Sequence, residues 1–113
     1  MEVKMNENIS LENSFKKVLR KYGYYYVRTG DNSYMFIKHD DRIGGIYFEL
    51  QNKAKMRIEQ VDFIQTFDNR KTLNKFLNQM ENELNYLSPE LGRTLTRTQI
   101  KKIIKKVKDT SSF

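Results

Sequence analysis

A chain of 113 residues has room for one hydrophobic core and too little for two, and a net charge of +7 favours a polyanionic partner. The absence of cysteine and the presence of a single histidine exclude disulfides, thiolate catalysis and histidine-rich metal sites, so neither a cofactor nor a metal is expected. No apolar stretch approaches the ~20 residues of a membrane span and the first residues lack a signal-peptide core, which predicts a cytoplasmic protein with no membrane partner.

Residues 1–9 read as a flexible leader, residues 10–109 as one α+β domain and residues 110–113 as a tail. Leu11, Phe15, Val18, Leu19 and Tyr22 recur on one helical face, with Ser10 placed to cap and Gly23 to stop, so a first helix is expected over 10–22. Its polar side carries Lys16, Lys17, Arg20 and Lys21.

At Tyr24 the period changes to two. Strands over 24–29, 34–38, 46–50 and 54–59, separated by short polar turns, predict a four-stranded antiparallel meander. Placing the aliphatic side chains inward puts Tyr25, Val27, Met35 and Ile37 with Ile46, Phe48, Leu50, Ala54, Met56 and Ile58 on the core face. The second face then holds Tyr24, Tyr26, Arg28, Tyr34 and Phe36 together with Lys38, Tyr47, Lys55 and Arg57. Rings interleaved with cations in this way suit the stacking of unpaired bases.

Gln60 to Phe67 is open between an extension of the last strand and a turn of helix. Asp68 is placed to cap a second helix over 69–87, whose apolar stripe is Leu73, Phe76, Leu77, Met80, Leu84 and Leu87, and Pro89 ends it. Thr96-Arg-Thr-Gln99 has the form of a capping box. Beyond it Ile100, Ile103, Ile104 and Val107 form the stripe of a third helix over 97–108. Residues 93–113 carry a net +6 of the chain's +7, mostly on the opposite side of this helix.

That separation of faces points to a non-enzymatic nucleic-acid-binding protein, duplex DNA before RNA, of the small accessory or regulatory kind. Lys101, Lys102, Lys105, Lys106 and Lys108 would contact phosphates, Arg93 and Arg97 would orient them, and Lys16, Lys17, Arg20 and Lys21 would extend the footprint. Should Ile100, Ile103, Ile104 and Val107 face a partner instead, the same helix would serve an inhibitor or adaptor of a nucleic-acid enzyme, or a homodimer seam. A third reading starts from Asp41 and Glu49-Leu-Gln51, which is similar to the acid-then-Glu-x-Lys order of restriction-endonuclease-like nucleases, with Gln51 where the lysine usually stands. The resemblance implies metal-dependent cleavage through Asp41 and Glu49. His39-Asp40-Asp41 reads as a solvated turn.

Overall fold

A glycine in the left-handed region closes the first helix and turns the chain into the sheet. The computed structural model describes residues 13–30, 33–87 and 94–111, and Ser10, Leu11, Pro89, Arg93 and the 1–9 leader lie outside the described residues. Helix α1 occupies residues 13–21, and Gly23 follows at φ +88°. The Tyr24 amide donates to the Leu19 carbonyl at 3.0 Å and the Gly23 amide to Arg20 at 3.1 Å, the double bond of a Schellman stop.

Five strands follow in sequence order as an antiparallel meander: β1 (Tyr25–Gly30), β2 (Ser33–Asp40), β3 (Gly44–Leu50), β4 (Ala54–Ile58) and β5 (Phe63–Phe67). The fold is the expected α+β domain of helix, meander and two C-terminal helices, with one strand more than the four predicted. Residues 60–67 resolve both readings left open: a 3₁₀ turn over Glu59–Val61 is followed by β5, and between them Asp62 takes φ 52° to reverse the chain. An alternating strand was legible there only as Phe63, Gln65 and Phe67, because Ile64 is apolar on the other face.

The register reverses the predicted faces of the first hairpin. Tyr26 pairs with Phe36, Phe36 with Phe48, Phe48 with Met56 and Met56 with Gln65. Directly paired residues share a face, so Phe36 lies on the core side and Val27, Met35 and Ile37 do not. Tyr24 and Phe36 are buried, whereas Tyr25 is 57% exposed. The inward set also carries Arg28, Lys38 and Asp40, whereas the outward set of Tyr25, Val27, Met35 and Ile37 has no charge, so alternation points the wrong way here. Turned inward, Tyr24 and Phe36 meet aromatic partners, Tyr24 edge-on to Phe48 at 5.1 Å and Phe36 to Tyr26 at 5.9 Å.

Helix α2 (Arg70–Leu87) is capped by Asn69 and not by Asp68. The Thr72 amide donates to Asn69 Oδ1 at 3.0 Å, the reach that a cap three residues upstream provides. Asp68 instead meets Lys53 at 3.5 Å in an exposed pair. Helix α3 (Arg97–Ser111) runs three residues past its predicted end, taking in two residues assigned to the tail. All three helices lie on one face of the sheet. Phe15 and Leu19 of α1, Phe48 and Met56 of the sheet, Leu73 and Phe76 of α2 and Ile100 of α3 are fully buried in one cluster.

Candidate nucleic-acid interface

The start of α3 is held as the sequence predicts. The Gln99 amide donates to Thr96 Oγ1 at 3.2 Å and the Thr96 amide donates to Gln99 Oε1 at 2.9 Å, a reciprocal capping box. Just upstream, the Leu95 amide donates to the Arg42 carbonyl at 2.8 Å, which ties the helix entry to the β2–β3 turn. With its entry anchored, α3 packs along α2 and the 3₁₀ turn.

Ile100, Ile103, Ile104 and Val107 are all buried in this chain's own core. The expectation that they could meet a protein partner or form a homodimer seam is therefore corrected: α3 packs along α2 and the 3₁₀ turn, its stripe is buried in the core, and opening it would expose that core. What α3 offers outward is charge. Arg97, Lys101, Lys102 and Lys105 are exposed and have no ion-pair partner among the described residues.

The remaining cations of α3 are engaged. Lys106 Nζ lies 2.7 Å from Glu83 Oε1 on α2, and that hydrogen bond, with the carboxylate's charge, raises the lysine's pKa. Lys108 Nζ sits 5.8 Å from the centroid of the Phe63 ring. Lys101, Lys105 and Lys108, at the i, i+4, i+7 spacing of one flank, line a groove of about 510 Å³ between α3 and the β5 end of the sheet. Val61, Phe63, Ile64 and Ile104 supply its apolar lining, and Asp62 and Asp109 its acids.

The α1 cations form a separate group. Lys17, Arg20 and Lys21 are exposed and Lys16 is half-buried. Lys21 Nζ lies 5.5 Å from the Tyr22 ring centroid, and the Tyr22 hydroxyl donates to Asn74 Oδ1 on α2 at 3.2 Å. None of the described interactions joins these cations to those of α3.

The predicted stacking set does not share an open face. Tyr24 and Phe36 are core residues, Tyr26 is edge-on to Phe36 at 5.9 Å, and Arg28 is exposed with its Nε donating to the Gly30 carbonyl. The Tyr34 side chain lies outside the described residues. The open face instead carries a row of five directly paired residues, one from each strand: Tyr25, Ile37, Tyr47, Arg57 and Ile64. Arg57 lies over the Tyr47 ring at 5.3 Å, and the Tyr47 hydroxyl donates to Glu59 Oε2 at 2.9 Å, which raises its pKa.

Asp41 and Glu49 are not brought together. Asp41 is in the β2–β3 turn and Glu49 is near the far end of β3, and the five residue steps from Gly44 to Glu49 alone span about 16 Å. No single metal ion bridges that separation, and no group of three or more potential metal ligands occurs among the described residues.

One cluster escaped the sequence reading. The same parity that buries Phe36 turns Lys38 and Asp40 toward the helices. Arg42 then grips Asp40 bidentately, Nε to Oδ1 at 3.0 Å and a terminal nitrogen to Oδ2 at 2.8 Å. The guanidinium also reaches Glu81 at 2.9 Å and Asn85 at 2.8 Å on α2. Lys38 Nζ donates to the Tyr22 carbonyl at 2.9 Å and stands 3.6 Å from Glu81. Burial raises the Asp40 carboxyl, but the hydrogen bonds and charge of Arg42, with the charge of Lys38, outweigh it and hold the group below its ordinary range. Asp40 is 5% exposed and belongs to a largely buried clamp, a correction to the solvated-turn reading for that residue, while His39 and Asp41 on either side of it are exposed as that reading expects. Correct placement of Phe36 would have revealed the clamp.

Compared with family models, curated proteins and solved structures, the chain matches none. No helix among the described residues is long and apolar enough to cross a membrane.

Proposed function

We propose that this chain is a non-enzymatic nucleic-acid-binding protein that holds phosphates with the cationic side of α3. The supporting observation is the division of that helix. Its aliphatic stripe is committed to the core, while Arg97, Lys101, Lys102 and Lys105 stay exposed without ion-pair partners among the described residues. A tail with the same charge would lose conformational freedom on binding, whereas a docked helix presents its ammonium groups already in register. Lysine is suited to phosphate as a point charge, and each neutralised phosphate releases counterions.

The test is a titration of fluorescently labelled oligonucleotides at several salt concentrations. The slope of log affinity against log salt changes by about 0.7–0.9 for each phosphate that the protein neutralises. Changing Lys101, Lys102 and Lys105 together to glutamine is therefore expected to flatten the slope by about 2–3 units, without changing the melting temperature. Binding indifferent to these lysines, or no binding at low salt, overturns the proposal.

A further inference from the structure

We infer that the nucleic acid is single-stranded and crosses the open face of the sheet, with bases on the Tyr25–Ile37–Tyr47–Arg57–Ile64 row and phosphates in the α3 groove. This rests on the function proposed above and deepens it.

Three observations lead there. The first is continuity: Ile64 belongs both to the open-face row and to the lining of the groove that Lys101, Lys105 and Lys108 flank. The cations of α3 and the rings of the sheet therefore form one surface. With neighbouring strands ~4.8 Å apart, the row extends about 19 Å from β1 to β5, room for several nucleotides. The second is the character of the row. Tyr25 and Ile64 are each more than half exposed although large and apolar. Arg57 is exposed with its guanidinium carbon 5.3 Å from the centroid of the Tyr47 ring, and guanidinium groups as well as aromatic rings stack unpaired bases. The Tyr47 hydroxyl, fixed by Glu59, keeps that ring in place.

The third is charge. Around the row and groove stand Lys55, Arg57, Lys101, Lys105 and Lys108, against Glu49, Glu59, Asp62 and Asp109. Five cations against four carboxylates are enough to place a backbone on the lysine side and too few to hold a polyanion by charge alone. A ligand that fits this surface must add interactions through its bases. In a duplex the base faces are stacked on one another and cannot add them, so a single strand is favoured over the duplex that the charge of α3 suggested by itself.

The experiment compares a short oligothymidine with a duplex of the same length, using the wild-type chain and single variants of exposed residues. Tyr25→Ala and Arg57→Ala are each expected to weaken single-strand binding about tenfold, the effect of losing one stacked base, and to weaken duplex binding far less, Arg57→Ala only through its lost charge. Tyr25→Phe should retain full affinity, since stacking uses the ring and not the hydroxyl. Melting temperatures check that every variant is folded. Equal affinity for both ligands, together with indifference to Tyr25→Ala and Arg57→Ala, overturns this inference. If the lysine variants still lose affinity in that case, the broader function survives without it. Absence of binding to either ligand at low salt ends both.

Discussion

Two regions of this molecule concentrate charge, and they do so in opposite ways. At the β2–β3 turn, Asp40, Arg42, Lys38 and Glu81 hold one another at short range, with Asp40 nearly excluded from solvent. On α3, Arg97, Lys101, Lys102 and Lys105 stand exposed, with no carboxylate within ion-pair distance among the described residues, although Asp62 and Asp109 share the groove of Lys101 and Lys105. In the first region each charge has already been compensated within the fold, so nothing remains for a ligand. In the second, compensation within the fold is incomplete, and a ligand can supply the rest. Charge density alone therefore says little about binding, and what distinguishes a site from a clamp is whether opposite charge is already in place.

The largest expected effect comes from breaking the clamp. Arg42→Met keeps the aliphatic stem but leaves Asp40 buried without its bidentate partner, and loss of one member of such a pair typically costs about 3–5 kcal/mol. Arg42 keeps 19% of its side chain exposed, so the lower end, about 3 kcal/mol, is expected in urea unfolding. Adding Asp40→Leu should recover part of that loss by removing the stranded carboxylate. If the double variant is no more stable than the single one, the clamp acts through packing and not through charge. Nucleic-acid affinity of the folded protein should be unaffected in both, which separates the two regions.

The clamp also sets the pH range of stability. Asp40 titrates below its ordinary value, so its contribution is complete above the unfolded carboxyl value near 3.9 and is lost as pH falls through the folded value. Tyr24 is shifted upward, by burial first and then by the negative charges of Asp40 and Glu81. Its contribution is therefore present below the unfolded phenol value near 10 and is lost as pH rises beyond it. Melting temperature against pH should show a plateau from about pH 4 to about pH 10, with a fall on each side. In Tyr24→Phe the alkaline fall should be shallower and the acid fall unchanged; an unaltered alkaline limb would mean that Tyr24 does not carry it.

The same contrast explains what was legible beforehand. The helices were, because the stripes of Phe15, Val18 and Leu19 and of Ile100, Ile103, Ile104 and Val107 match only one periodicity, and Gly23 and Thr96 mark their boundaries with specific backbone chemistry. The cap of α2 was displaced by one residue because Asp68 and Asn69 are equivalent in propensity, and only the reach to Thr72 separates them. The faces of β1 and β2 were not legible, since the set that turns inward carries Arg28, Lys38 and Asp40, and the last two are satisfied only by Tyr22, Arg42 and Glu81, which are distant or unassigned in the sequence. That single inversion hid two things at once: the Lys38–Asp40–Arg42 clamp, and the true open row in which Tyr25 stands beside Ile37 and Tyr47. A local ambiguity of one residue thus became an error about where rings meet solvent.

The smallest predicted effect addresses the boundary between the two kinds of charge. Lys106 is the one described α3 lysine paired with a carboxylate, Glu83 of α2, although the lysine itself is two-thirds exposed. It lies one turn beyond Lys102, on the flank turned from the groove that Lys101, Lys105 and Lys108 line. Glu83→Gln removes the competing charge and leaves an amide oxygen that still accepts a hydrogen bond, so the fold should hold with little change in melting temperature. If bound nucleic acid reaches the α2 flank, Lys106 becomes available to it and the salt slope steepens by about 0.7–0.9, the signature of one more neutralised phosphate. An unchanged slope would confine the ligand to the groove flank, where Lys101 and Lys105 stand next to Ile64. That outcome fits a strand leaving α3 directly onto the open sheet, because such a path never passes over α2.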